Sequence, residues 1–213
     1  MSKPSTDDVL LANDWPISRV LDYIGRKSKR DIVLFLDMRH EERFFEPILQ
    51  LTCTGNKQGY GFAIMALCSL LIETMQCYRY GLPSTNRGEL KRLGIPEAEW
   101  KSGVVAFNEF FLKSEHRNLF PNVDGRDFYL NIRNGLLHQG QTKDGWKIKT
   151  DQVMLCDVQE KIIDRDRFSS ALKNAFTAYL EELNRSDWAD DNWSKAIQKI
   201  CWLVKMSAAT PCS

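Results

Sequence analysis

The chain of 213 residues lacks most of the features that announce a function. It has no GxxxxGK loop to cradle a nucleotide phosphate, no HExxH helix, and no Cys/His spacing of a zinc site. Six cysteines are present and none forms a CxxC pair, so neither a redox couple nor a zinc ribbon is expected. Cys68 and Cys77 sit in or beside an apolar run, where free cysteines act as small hydrophobes. Charge of one sign is also missing: 29 Lys and Arg face 28 Asp and Glu. A net charge of +1 gives no general attraction to nucleic acid, so a polyanion would need a local patch. The longest apolar run, "GFAIMALCSLLI", falls short of the roughly 20 residues that span a bilayer. The amino terminus, "MSKPSTDDVLLANDWP", is acidic and polar where a signal peptide needs an apolar segment. These absences lead to the expectation of a cytoplasmic protein with no membrane attachment, no metal and no cofactor.

What is there is helical. With 43% hydrophobic and 27% charged residues, the chain is expected to bury a core, and its length suits one domain with appendages. Asn13 or Asp14 is read as the cap of a first helix carrying Ile17, Val20, Leu21 and Ile24, with Gly25 at its end. The run Ile32 to Leu36 is too short for periodicity to separate strand from helix. Beyond it Phe44, Phe45, Ile48 and Leu49 fit an amphipathic helix that Pro47 interrupts. From Tyr60 to Tyr80 apolar residues cover nearly the whole circumference, as in the central helix of a bundle, with Glu73 among them. Ser84, Thr85 and Asn86 are turn or capping residues. A helix with Val104, Phe107, Phe110 and Phe111 follows, and Asp124 caps the next one, which runs to about His138. Asp144-Gly145 and the alternation after it predict a small β-hairpin within about 145–163. Two further helices carry Phe168 to Leu180 and Trp193 to Cys201. The expected fold is mainly α, a helical bundle with that small β insertion. Its expected parts are an N-terminal helical extension (1–59), a central helical domain (60–185) and a C-terminal helix and tail (186–213).

The stretch "RDFYLNIRNGLLHQG" sets polar groups into a leucine-rich helix. At about 100° per residue Phe128, Ile132 and Leu136 share one apolar face, which Leu130 and Leu137 widen. Asn134 and His138 stack four apart, whereas Arg133 lies about 140° around the axis from His138. One helix therefore does not aim all three at a point. Two copies crossing at a twofold axis would bring two arginines and two histidines together. Histidine exchanges a proton near neutral pH, arginine binds phosphate through a planar fork, and asparagine donates or orients. This set suits transesterification of RNA, in which the 2′-hydroxyl attacks the adjacent phosphate without a metal. The structural reading of the same residues pairs Arg133 with a glutamate such as Glu73 and makes His138 a C-terminal cap.

"RNGLLH" resembles the Arg-x4-His motif of the HEPN family of prokaryotic helical proteins, with the frequent polar residue directly after the arginine. The surrounding order is similar too: a long apolar helix with Glu73, an intervening helix, then the motif on a late helix, over about residues 60–185. The resemblance implies a HEPN-like bundle that acts as a metal-independent ribonuclease. It further implies a homodimer with the motifs at the shared interface, and service in toxin–antitoxin or antiphage systems beside an antitoxin or defence partner. By position it implies catalytic roles for Arg133 and His138, assistance from Asn134, and Glu73 as the acidic residue opposite the arginine. Many members carry a tyrosine two residues beyond the histidine, where this chain has Gly140. Other members bind RNA or nucleotides without cutting, and that alternative stays open.

Remaining signals have plainer readings. His40 in "RHEER" and His116 in "SEHRN" are read as solvated helix-face residues. "RKSKR", Arg26 to Arg30, touches an RNA backbone or is a plain exposed patch. Tyr78, Arg79 and Tyr80 stack on bases or fill a joint between helices, with packing favoured. Trp188, Trp193 and Trp202 anchor the last helix or a subunit contact.

Overall fold

Helical periodicity carries most of the chain. The computed structural model describes residues 9–54 and 59–208. Among these the protein is mainly α with two small β elements. In chain order the elements are β1 (Leu10–Ala12), β2 (Trp15–Pro16), α1 (Ile17–Gly25) and α2 (Lys29–His40), then π-helical turns at Glu41–Phe45 and α3 (Glu46–Cys53). There follow α4 (Tyr60–Tyr80), α5 (Arg87–Arg92), a 3-10 turn (Glu97–Glu99), α6 (Gly103–Leu112), α7 (Ser114–Arg117) and α8 (Gly125–Asp127). Further π-helical turns at Phe128–Arg133 lead into α9 (Asn134–Gln139), then β3 (Lys147–Lys149), β4 (Cys156–Asp157), β5 (Ile162–Asp164), α10 (Arg165–Arg185) and α11 (Asp191–Ala208). The chain divides into two compact units, each assembled from separate stretches. One holds 9–45, 77–83 and 178–208, and the other holds 46–54, 59–76 and 84–177.

In the first unit, the ambiguous Ile32–Leu36 run is helix, with Ile32, Phe35 and Leu36 fully buried. Asn13 and Asp14 do not cap α1. They form the turn of the small β1–β2 ladder, and Pro16 precedes the helix with no side-chain cap. The part of the amino-terminal reading on residues 1–8 lies outside the described residues. The guanidinium groups of Arg39 and Arg43 both donate to Leu11 O, which ties the ladder to the helical stretch. Lys29 of the basic run donates to Ser186 O at 2.6 Å and Arg26 pairs with Asp22, so part of that run is structural. Tyr78 is fully buried, and Arg79 pairs with Glu182 at 3.0 Å while its guanidinium lies over Tyr179. Trp193 is fully buried, stacks on Trp188 and donates to Leu183 O, anchoring α11.

In the second unit an aromatic cluster forms the core. Phe107, Phe110, Phe111, Phe120, Phe128 and Phe168 interlock with ring centroids 5.1–6.4 Å apart. Such pairs add to the burial of the rings themselves. Gly125 lets α8 approach the backbone of α6, since a Cβ there would lie 2.7 Å from Phe107 O. The helix with Val104, Phe107, Phe110 and Phe111 ends at Leu112, and Lys113, with extended backbone, separates α6 from α7. Asp164 caps α10, accepting from the N–H groups of Asp166 and Arg167. The β insertion holds a short hairpin, β4 and β5 pairing antiparallel across residues 158–161, and β5 as the middle strand also pairs in parallel with β3, which the sequence reading did not include. Asp144 and Gly145 both take positive φ, as a tight turn requires, but the strands they were expected to join do not pair across them.

Two histidines correct the sequence reading. His40 and His116 are 1% and 0% exposed, not on solvated faces. Each ring offsets part of the cost of burial by donating Nδ1–H to a backbone carbonyl, Leu36 O at 2.6 Å and Phe110 O at 2.7 Å. His116 also packs 4.3 Å from the Phe110 ring. Adjacent glutamates mark the exposed side of each turn, and the histidine points the other way.

Tyr60–Tyr80 is long and apolar enough, by length and composition, to cross a membrane, and half of that window is buried within the protein.

Burial lowers the pKa of His40 from 6.5 to about 3, opposed by the Leu36 hydrogen bond and reinforced by Arg39, Arg43 and Lys199. Because the folded value is depressed, the contribution to stability is complete above about 6.5 and is lost as pH falls towards about 3. Between neutral pH and pH 5 this one group is expected to cost about 2 kcal/mol of stability. Denaturant titration at the two pH values checks it, with His40→Gln showing a flatter pH dependence than wild type.

Candidate active site

The helix that carries the motif is not regular. Asp124 caps it as expected, its Oδ1 accepting from Asp127 N–H at 2.7 Å. Six residues, Phe128–Arg133, then take π-helical turns, and Asn134 N–H bonds to Tyr129 O five residues back. Two features accompany the widening. Asn131 Nδ2 donates to Asp127 Oδ1, and Asn131 O accepts Lys143 N–H at 2.8 Å from the returning chain. Such turns inside helices are frequent at functional sites. Gly135 allows the return, because a Cβ there would run into Gln141 O and lie 3.1 Å from Thr142 Cα. Gly140 ends α9 at φ 68°, the left-handed conformation that glycine adopts without strain. The position where many HEPN proteins carry tyrosine is therefore a helix C-cap in this chain.

Phe128, Ile132 and Leu136 are buried as the spacing predicts. Leu130 and Leu137 are not part of that face and remain 38% and 36% exposed.

Arg133 meets Glu73 of α4. Its Nε and Nη2 donate to Glu73 Oε2 at 3.0 and 2.6 Å, and its Nη1 donates to Asn134 Oδ1 at 3.0 Å. Both charged side chains are mostly covered, 17% and 14% exposed, so their attraction is less screened than at an open surface. Thr85 is buried and its hydroxyl donates to Glu73 Oε1 at 2.6 Å, which occupies the second carboxylate oxygen. The guanidinium lies over the Tyr129 ring, 5.3 Å from its centroid. Tyr129 in turn rests on α6, where a Cβ on Gly103 would be 2.7 Å from its Cζ. Three of the five N–H donors of Arg133 are engaged, leaving one on Nη1 and one on Nη2. The arrangement presents an oriented cation with two donors available to an anion.

The structure thus brings together Glu73, Arg133 and Asn134 from the sequence reading and adds Thr85 and Tyr129. Thr85 was read as a turn residue. Tyr129 stands four before Arg133 in a helix, a spacing that can signal a ring beside a cation. His138 is exposed on α9 and joins none of these bonds, in keeping with its angular distance from Arg133. A larger open groove of about 860 Å³ lies on the same unit, flanked by Asn118, Met154, Arg167 and Asn174, and contains none of the motif residues. Among the described residues no group of three or more His, Cys, Asp or Glu is placed to hold a metal ion.

Comparison with protein-family models, with curated proteins and with solved structures gave no significant match to this chain.

If the Glu73–Arg133 pair couples as its geometry implies, a double-mutant cycle with Glu73→Gln and Arg133→Gln yields an interaction energy of about 1–3 kcal/mol. Denaturant unfolding of the four proteins measures it, and strict additivity would show that the pair is energetically idle.

Proposed function

We propose that the protein is a metal-independent endoribonuclease of HEPN type that cleaves RNA by attack of the 2′-hydroxyl on the adjacent phosphate. The observation that carries the reading is Arg133, aligned by Glu73, Asn134 and Tyr129 with two N–H donors left, on the same helix as an exposed histidine. Arg133 binds the scissile phosphate and stabilises the charge that grows on its oxygens. His138 takes the proton of the 2′-hydroxyl as the O2′–P bond forms. The P–O5′ bond breaks, and the leaving oxygen receives a proton from a second acid. The products are a 2′,3′-cyclic phosphate and a free 5′-hydroxyl. Asn134 assists by holding one edge of the guanidinium.

The angle between Arg133 and His138 favours a composite site in a homodimer, in which the second copy supplies the other histidine. Leu130 and Leu137, exposed on the motif helix, give that contact apolar surface to cover. A role as a toxin or antiphage effector, held in check by an antitoxin or defence partner, belongs to the same reading and rests on the family resemblance alone. The second reading is a noncatalytic RNA- or nucleotide-binding module. The separation of His138 from the Arg133 cluster within one chain favours it.

Single-stranded RNA incubated with the protein in EDTA is expected to give 2′,3′-cyclic phosphate ends, and the all-deoxy strand no product. His138→Ala lowers the rate by about 10²–10⁴-fold if the imidazole transfers the proton. Arg133→Ala lowers it as well, with the fold retained by circular dichroism. Intact RNA with folded wild-type protein over a range of sequences would count against cleavage, and RNA binding that depends on Arg133 without turnover would select the binding module.

A further inference from the structure

A second pocket is lined from stretches of chain next to residues of the Arg133 cluster. It measures about 300 Å³ and is lined by Arg87, Glu97, Trp100, Ser102 and Val105. Two of its walls connect directly to the site described above. Arg87 opens α5 two residues after Thr85, whose hydroxyl holds Glu73. Ser102 directly precedes Gly103, the residue on which Tyr129 lies.

The groups in this pocket are chemically specific. Trp100 is half-buried and donates its Nε1–H to Ile95 O at 2.8 Å. Its one polar atom is spent and its ring is held, so it meets a ligand as a π surface. Arg87 is exposed, with all its guanidinium donors unspent. Glu97 is likewise exposed, and its carboxylate is an acceptor with no ion-pair partner among the described residues. The Ser102 oxygen accepts Val105 N–H as a helix cap and keeps its own proton to donate. A fixed aromatic face, a free cation, a free acceptor and a hydroxyl in one small pocket match the parts of a nucleotide: base face, phosphate, base-edge donors and base-edge acceptor. The volume admits one unstacked nucleotide and no duplex.

Resting on the ribonuclease reading, we propose that this pocket is the substrate's base subsite, which takes an unpaired nucleotide of single-stranded RNA next to the phosphate bound by Arg133. The base stacks on Trp100, Glu97 accepts from its edge, and Arg87 holds the neighbouring phosphate. The enzyme then selects single strands, because a base inside a helix cannot enter.

The test is binding of a fluorescently labelled, fully 2′-O-methylated RNA strand, which lacks the attacking hydroxyl and so stays whole. Fluorescence anisotropy with the full chain compares single strand with duplex. Wild type is expected to prefer the single strand. Trp100→Leu weakens binding about tenfold to a hundredfold and Trp100→Phe restores most of it, as loss and return of a stacking face require. Arg87→Ala, at an exposed position that does not threaten folding, weakens binding and lowers the salt dependence by about one phosphate contact. Duplex preference, absence of single-strand binding, or wild-type affinity in folded Trp100→Leu or in Arg87→Ala would each overturn the subsite. Failure of the two readings can be told apart. Binding that needs Trp100 and Arg87 without cleavage of unmodified RNA sinks the nuclease and keeps the subsite. Cleavage that ignores both residues does the reverse.

Discussion

A carboxylate on a predominantly apolar helix has to be neutralised where it stands, and in this protein that demand falls on Glu73. Burying an ionised group without a partner costs several kcal/mol, roughly the margin by which a domain is stable. Each oxygen of Glu73 has its own partner: Thr85 on Oε1 and the guanidinium of Arg133 on Oε2. The one carboxylate therefore fixes the turn after α4 and the motif helix against α4 at once. Arg133 passes the constraint on, through Asn134 beside it and through Tyr129, which lies against Gly103. A structural role and a functional one are not alternatives for this arginine. The contacts that hold it are those that leave one edge of the guanidinium presented.

The sequence disclosed what periodicity encodes and concealed what single contacts decide. Helix spacing identified α4, α6, α10 and α11, and the cap residue Asp124 marked a start that the structure shares. Of the candidate residues, Glu73 was one possible partner for Arg133, because a carboxylate in an apolar helix and an arginine in another each need a counter-charge, and the structure pairs them. The burial of His40 and His116 was not, because a charged neighbour says nothing about which way the next side chain turns. The small sheet was legible only in part for a related reason: a turn dipeptide fixes a local bend, whereas the parallel pairing of β3 with β5 joins residues fifteen apart in the chain. The π-helical turns have no pattern of their own in the sequence. Those at Phe128–Arg133 are accompanied by the bond between Asn131 O and Lys143 N–H, a contact made only once the chain has folded back.

The glycines of the motif show how easily geometry is mistaken for chemistry. In "RNGLLHQG" the first glycine is required by the close passage of Gln141 and Thr142, and the second by a left-handed helix end. Neither needs a substrate to explain it. A tyrosine at position 140 would have to adopt the same φ of 68°, which costs a side-chain-bearing residue of order 1 kcal/mol. Glycine at position 140 thus suits the backbone of this chain, where it shapes how the helix ends.

The same ion pair constrains how the proposed reaction can proceed. Glu73 neutralises most of the charge of Arg133 at rest, so a phosphate gains less from the site's net charge than from the two oriented N–H groups that remain. Binding is then directional more than long-range, in keeping with a chain whose net charge is only +1. The gain rises as negative charge accumulates on the phosphate oxygens during attack, because hydrogen bonds to a more anionic acceptor are stronger and the donors are already aligned. An arginine held by a carboxylate is in this sense better suited to favouring a transition state than to gripping a ground state. What it does not provide is a proton. In one chain His138, the exposed imidazole on the motif helix, joins none of the bonds that hold Arg133. The electrostatic half of the proposed site is therefore complete within a single copy, and the proton-transfer half is the part that calls for a second.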